Sequence, residues 1–171
     1  MRTMSCAAAG VVFFLFLSAQ AGAPGIFTAF EGHWAGTLEY QDYGADRRVK
    51  IPVKLSVRGS DAASAAWTFS YDDFGTTVSS LETHTWKGGQ YTISTIGKPE
   101  VQQYSSSDFA VLGRTGKGKA VLLGQELESG KKVQMRRTIT LGKTTLRTLT
   151  ETRASGGTYR FRNLSTYTRQ P

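Results

Sequence analysis

The chain has 171 residues, a single cysteine and a formal net charge of +8, with 21 Lys and Arg against 13 Asp and Glu. One cysteine excludes an internal disulfide and a cysteine-rich metal site. A secreted eukaryotic domain of this size often uses disulfides, so the composition favours a bacterial secreted or periplasmic protein. The length suits one domain with a substantial core.

The N-terminus predicts a cleavable signal peptide over residues 1–23. The basic Arg2 precedes an apolar run (6–17), and small residues in A-x-A spacing follow as far as Ala23. Cleavage after Ala21 or Ala23 fits equally well. A membrane anchor is excluded, because a spanning helix needs ~20 apolar residues. We therefore expect a secreted or periplasmic protein without a transmembrane segment.

The mature domain, residues 24–171, carries its charge unevenly. Residues 24–112 hold 7 Lys and Arg against 10 Asp and Glu, whereas residues 113–171 hold 13 against 3. This basic C-terminal part is either a solvated surface or a site for an anionic partner such as a polyanion. Solubility alone accounts for a net charge of this size. Nucleic acid is therefore not an expected partner.

Period-two alternation recurs along the domain and predicts nine or ten short strands joined by tight turns. Consecutive hairpins favour a meander, which removes its open edges by closing. We therefore expect an all-β, antiparallel up-and-down barrel of about eight to ten strands. The predicted strands cover residues 34–41, 48–57, 67–71, 76–86, 90–96, 120–128, 133–141, 144–153 and 158–168, with a glycine-rich basic loop over 113–119. Residues 101–105 and 109–112 are two further strand candidates.

The opening of the domain resembles the lipocalin-like (calycin) superfamily. Phe27 and Phe30, three residues apart, predict a short helical turn that plugs one barrel end, and Gly32-His33-Trp34 follows. The resemblance implies that Trp34 packs across the barrel floor and that a basic residue from a late strand lies over it.

The first and last strands extend the resemblance to short secreted bacterial lipocalin-like proteins. The segments concerned are Trp34-Ala35-Gly36-Thr37-Leu38-Glu39-Tyr40 and Arg160-Phe161-Arg162-Asn163. Haem-binding barrels with a similar opening use a histidine near the C-terminus, and no histidine follows His84. No cofactor is therefore expected.

Two charged side chains interrupt apolar patterns. Arg137 shares a strand face with Met135 and Ile139, so it is expected to point inward and needs a partner. That partner is either the ring of Trp34, as a floor contact, or a ligand carboxylate. His84 alternates with Glu82 and forms a polar spot in the cavity if that face is internal. Antiparallel strands normally keep their charged face outside.

Catalytic motifs are weak. Residues 113–119 match most of a phosphate-binding P-loop, but Ala120 stands where Ser or Thr is required, and a strand follows instead of a helix. Ser129 and Lys132 fit S-x-x-K but lie in a predicted turn. Two histidines do not fill a metal site. An enzyme working in the barrel mouth is therefore the third choice of function.

The leading hypothesis is a secreted or periplasmic barrel that binds a small, mainly apolar or amphipathic ligand. The second is an interaction protein whose basic C-terminal surface binds a polyanion or a protein. The predicted ligand-binding residues are Trp34, Leu38, Tyr40, Trp67, Phe69, Tyr71, His84, Arg137 and Phe161.

Overall fold

The computed structural model describes residues 25–128 and 130–171, so the predicted signal peptide lies outside the described residues. A 3₁₀ turn, ten strands and one α-helix follow one another along the chain. Their bounds are the 3₁₀ turn Thr28–Phe30, β1 Gly32–Asp42, β2 Arg47–Asp61, β3 Ser64–Asp73, β4 Thr76–Lys87, β5 Gln90–Thr95, β6 Val101–Ser105, α1 Phe109–Thr115, β7 Gly118–Glu128, β8 Lys131–Leu141, β9 Thr145–Arg153 and β10 Arg160–Arg169.

The ten strands close into one antiparallel barrel. Each strand pairs with its neighbours in the chain, and β1 pairs with β10. In β2 the apolar Ile51, Val53 and Leu55 are buried, while the alternating Lys50 and Lys54 are exposed. The predicted all-β, up-and-down barrel is confirmed, because strands with one apolar face bury it together once the sheet closes. Neither helical segment of the described residues is long and apolar enough to cross a membrane.

One strand prediction is wrong. Residues 109–112, predicted as a strand before a basic loop over 113–119, belong to helix α1. Phe109 and Leu112 lie three residues apart and are both buried, which is helical spacing. A four-residue apolar run does not distinguish a strand from a helical turn by its period alone, and this caused the error.

Two glycines allow α1 to pack where it does. A Cβ on Gly113 would lie 2.5 Å from the carbonyl oxygen of Ile26, so only glycine lets the helix approach this segment. Gly116 ends the helix with a φ of 66°, in the left-handed region that glycine adopts without strain. The predicted glycine-rich loop is therefore a helix end followed by the start of β7.

Helix α1 and the 3₁₀ turn close one end of the barrel with the residues that we call the floor: Phe27, Phe30, Trp34 and Phe109. The ring centroids of Phe27 and Phe109 lie 5.5 Å apart, and those of Phe30 and Phe109 lie 6.0 Å apart. All four side chains are almost fully buried. The predicted helical turn that plugs one barrel end is confirmed.

Trp34 contacts both the 3₁₀ turn that precedes it and the last strand, β10. Its indole N–H donates to the carbonyl oxygen of Phe30 at 2.9 Å. The Arg169 guanidinium lies 4.1 Å from the centroid of the Trp34 ring and donates to the carbonyl oxygens of Ala29, at 2.7 Å, and Glu31. Arg169 therefore ties the last strand to the first turn.

Arg169→Met tests this tie. We expect the free energy of unfolding to fall by about 2–4 kcal/mol, because two carbonyls lose a charged donor and the indole loses its cation. Urea denaturation followed by circular dichroism measures the change. Arg147→Met is the control, since Arg147 is exposed on the outer face of β9 and should cost less than about 0.5 kcal/mol. Equal losses in the two variants would contradict the structural role.

Candidate functional site

A cavity of about 230 Å³ lies inside the barrel, between the floor and the opposite, open end. Polar side chains outnumber apolar ones in its wall. The apolar lining is Leu38, Trp67, Phe69, Met135 and Ile139, and the polar lining is Tyr71, Glu82, His84, Tyr91, Gln102, Tyr104, Arg137, Thr148, Thr150, Arg162, Asn163, Ser165 and Tyr167.

Arg137 brings a positive charge into this cavity. It lies on the inner face of β8 between the buried Met135 and Ile139, and the accessible part of its side chain faces the cavity. Its Nε is buried and has no hydrogen-bond partner among residues 25–128 and 130–171. Burial opposes the charge, but the surrounding phenols and Glu82 outweigh it and raise the pKa of Arg137. The guanidinium is therefore charged and available.

The prediction that Arg137 stacks on Trp34 is wrong, and strand register gives the reason. Arg137 pairs with Thr150, Thr150 with Asn163, and Asn163 with Tyr40. This row crosses β1 six residues beyond Trp34, which is about 20 Å along a strand. Arg169 occupies the place over the indole instead. Contact between Arg137 and a ligand acid group stays a prediction.

His84 also faces the cavity, although its strand pattern favoured the outside. Its ring stacks on Trp67 with centroids 4.3 Å apart. Its Nε2 lies 2.9 Å from Oε2 of Glu82, and its Nδ1 lies 2.6 Å from the hydroxyl of Tyr91. The general preference for charged side chains outside fails here because each polar atom of the ring has a partner.

The protonation states of this group follow from its surroundings. Burial lowers the pKa of His84, although Glu82 opposes the shift. Burial opposes ionisation of Glu82, but the hydrogen bond from His84 and nearby positive charges outweigh it and lower the pKa of Glu82. At neutral pH a neutral ring therefore faces a carboxylate, which only accepts. Nε2 must carry the hydrogen, and the Tyr91 hydroxyl donates to Nδ1.

The phenols of the cavity stay protonated. Burial raises the pKa values of Tyr71, Tyr91 and Tyr104, and it raises the pKa of Tyr167 to about 12. Each hydroxyl can donate and accept hydrogen bonds. These uncharged hydroxyls share the cavity wall with the cations Arg137 and Arg162 and with the Glu82 carboxylate.

The structure brings together six of the predicted ligand-binding residues, while three lie elsewhere. Trp34 belongs to the floor, and Tyr40 is half-buried on β1 without lining the cavity. Phe161 lines a depression at the open end, and the Arg48 guanidinium lies 3.9 Å from its ring centroid. The six that line the cavity are Leu38, Trp67, Phe69, Tyr71, His84 and Arg137.

Sequence reasoning missed the polar residues that come from β5, β6, β9 and β10. Tyr91 alternates with Ile93 in β5, and that shared face was the available signal for its position. Tyr104 lies in the short β6, whose pattern covers too few residues to assign a face. Within the described residues, no three His, Cys, Asp or Glu side chains are grouped so that they could hold a metal ion.

Comparison with known proteins supports the fold. No protein-family model matches the chain, and no curated protein matches it significantly. Among solved structures, Rv2717c from M. tuberculosis is similar with a TM-score of 0.57 and 14% identity, over 85% of this chain and 95% of that one. A DUF3598-family protein of unknown function from Nostoc punctiforme has a TM-score of 0.50 and 16% identity, over 88% of this chain and 53% of that one. Identities this low show a shared fold alone.

The buried, neutral His84 makes stability depend on pH. Its pKa in the folded state lies below its ordinary value of about 6.5, so below that pH the unfolded chain binds the proton more readily. The contribution of His84 to the free energy of unfolding is therefore complete above about pH 6.5 and is lost as the pH falls. Glu82, whose pKa is also lowered, adds to the loss at lower pH.

Urea denaturation between about pH 7 and pH 5 measures this dependence. His84→Gln should flatten the decline across that interval, because the titrating ring is gone. His33→Gln, at an exposed position, should leave the decline as it is. An unaltered slope in His84→Gln would contradict a buried, neutral ring.

Proposed function

We propose that this protein binds a small anionic molecule in the barrel cavity, with Arg137 as the anchor. The observation that carries the proposal is a charged guanidinium that faces the barrel cavity and whose buried Nε has no partner among the described residues. Glu82 offsets part of the cost of burying this charge, but the Nε–H group still lacks an acceptor in the part of the chain that the structure describes. A ligand carboxylate would accept from the guanidinium in a two-point, charge-assisted contact.

The volume of the cavity limits the size of this ligand. A cavity of about 150 Å³ holds benzene, so the 230 Å³ measured here suits about nine or ten non-hydrogen atoms. Trp67 and Phe69 offer apolar contact to the body of such a molecule. The expected ligand is therefore amphipathic, with an acid group on Arg137 and a compact apolar or aromatic body.

We also infer that the domain is a lipocalin-like (calycin) barrel and that residues 1–23 direct its export to the periplasm or the medium. The family assignment is supported by Trp34 on the floor and by a late-strand arginine over its ring. The export assignment is supported by the pattern of the leader alone.

The alternative function, binding of a polyanion or protein on the basic C-terminal strands, has weaker support. Arg137 faces the cavity, Arg169 covers Trp34, and Arg136 pairs with Glu151 at 2.8 Å. Exposed cations such as Arg147 remain on the outer face. Heparin binding that falls steeply with salt would favour this alternative.

Catalysis ranks after binding because of the surroundings of His84. Both of its ring nitrogens already have protein partners, Glu82 and Tyr91. Neither nitrogen is free to take a proton from a ligand without breaking one of these contacts. His84, Glu82 and Tyr91 therefore form a hydrogen-bonded polar part of the cavity wall.

Benzoate is the probe for the proposed function, and Arg137→Met is the variant. Methionine keeps most of the volume and removes the charge. We expect benzoate affinity, measured by calorimetry, to drop by about tenfold or more, because one or two charged hydrogen bonds are lost. Stability should hold or rise, since a buried cation is replaced by an apolar side chain.

Benzyl alcohol is the control ligand, because it keeps the ring and lacks the charge. Arg137→Met should change its affinity little. Arg147→Met, on the outer face, should bind benzoate as the native protein does. Benzoate binding of equal strength in the native protein and in Arg137→Met would refute Arg137 as the anchor.

The leader is tested separately by expressing the full chain in a bacterium and sequencing the N-terminus of exported protein. The mature chain should begin at Gly22 or Pro24, because cleavage after Ala21 or Ala23 fits the small-residue pattern. Exported protein that retains Met1 would contradict the signal peptide.

A further inference from the structure

Arg162 owes its position to a bulge in β10. Phe161 pairs with Glu151 and Asn163 with Thr150, so Arg162 is the extra residue between two successive pairs. Neighbouring residues of a regular strand face opposite sides, yet both Arg162 and Asn163 line the cavity. Bulges re-aim side chains in this way, and they are frequent at functional sites.

Two carboxylates from β7, three strands away around the barrel, contact Arg162. Glu126 and Glu128 alternate along β7 with the exposed Leu127, which places both on the inner face. Nη1 of Arg162 lies 3.2 Å from Oε2 of Glu126 and also contacts Oε1 of Glu128. We call these three residues the strap.

The strap crosses the barrel and does not run along its wall. In the closed sheet, β8 and β9 lie between β7 and β10. An ion pair between non-neighbouring strands of a barrel must pass over the interior. Its side chains are only 28–33% exposed, so solvent screens it less than a pair on the outer surface.

The strap lies between two spaces. Arg162 lines the inner cavity together with Arg137. Glu128 lines the depression at the open end, which has a volume of about 620 Å³ and includes Val133 and Phe161. The strap therefore has one end on the inner cavity and the other on the depression.

We propose that the strap is the size filter of the binding site: it re-forms over a short carboxylate that fits the inner cavity and excludes a longer one. This inference rests on the proposed function for its ligand class. A short ligand leaves the two ion pairs intact above it. A long chain keeps them broken for as long as it is bound, and it leaves two carboxylates without their shared cation.

Hexanoate and dodecanoate are the probes, because the first fits the inner cavity and the second must extend into the depression. Arg162→Gln and the double variant Glu126→Gln, Glu128→Gln each open the strap from one side. In both we expect dodecanoate affinity to rise by about tenfold or more, since every further buried methylene then strengthens binding several-fold. Because Arg162 also lines the cavity, each variant is judged by the ratio of dodecanoate to hexanoate affinity, which should rise by about tenfold or more in both.

Arg136→Gln is the matched control, because it removes an Arg–Glu pair, Arg136 with Glu151, that joins neighbouring strands and does not border the cavity. It should leave the preference for hexanoate unaltered. Native protein that binds dodecanoate as tightly as hexanoate would overturn the filter and leave the proposed function standing. Exclusion of dodecanoate from both strap variants would overturn it as well.

Quenching of Trp67 fluorescence by acrylamide tests, without any carboxylate ligand, whether the strap limits access to the inner cavity. In a Trp86→Phe background the remaining tryptophans are the buried Trp34 and Trp67, and only Trp67 lines the cavity. Opening the strap should raise the quenching constant, whereas Arg136→Gln should not. Unchanged quenching in both strap variants would overturn the filter. If no carboxylate binds but quenching rises in the strap variants, the proposed function is refuted, and the strap still limits access to the inner cavity.

Discussion

Pairing between β1 and β10 closes the sheet, and every inward-facing side chain owes its surroundings to that closure. The register sets Trp34 opposite Arg169, so the last strand delivers a cation to the ring that the first strand carries. The same arginine donates to carbonyl oxygens at the 3₁₀ turn. One register therefore joins the two ends of the domain and seals the barrel at one end.

The sealed end and the cavity divide the interior into two chemically different parts. At the floor, aromatic rings pack against one another and exclude water. Above it, a cavity remains and its wall carries polar groups. His84 has two protein contacts there, whereas Nε of Arg137 has no partner among the described residues. The apolar floor offsets the cost of burying these polar groups.

The open end shows how a small irregularity changes what a barrel can hold. A single extra residue, Arg162, turns a wall position into a lumen position and brings a cation over the cavity. The two carboxylates that meet it would be unremarkable on the outer face of β7. Because they face inward, they contact Arg162, which lines the inner cavity, and Glu128 also lines the outer depression.

Residue order predicted the barrel, the turn that plugs one end of it and the inward position of Arg137. Period-two alternation predicted the barrel, and the spacing of Phe27 and Phe30 predicted the turn that plugs it. Arg137 was expected inside because Met135 and Ile139 share its face. Alternation predicts which residues of a strand share a face, because the side chains of a strand point to only two sides.

The cation over Trp34 and the inward position of His84 depended on contacts between distant segments of the chain. Alternation does not show which residues of different strands lie side by side, so it allowed Arg137 as the cation over Trp34, whereas the register places Arg169 there. The inward position of His84 required Tyr91 from the next strand. Residue order thus determined most of the strands, and the inner face of each strand that has a continuous apolar row, because alternation is a local property of the backbone. Which side chains meet across the lumen was settled by register, the bulge and closure, because those arise only between strands.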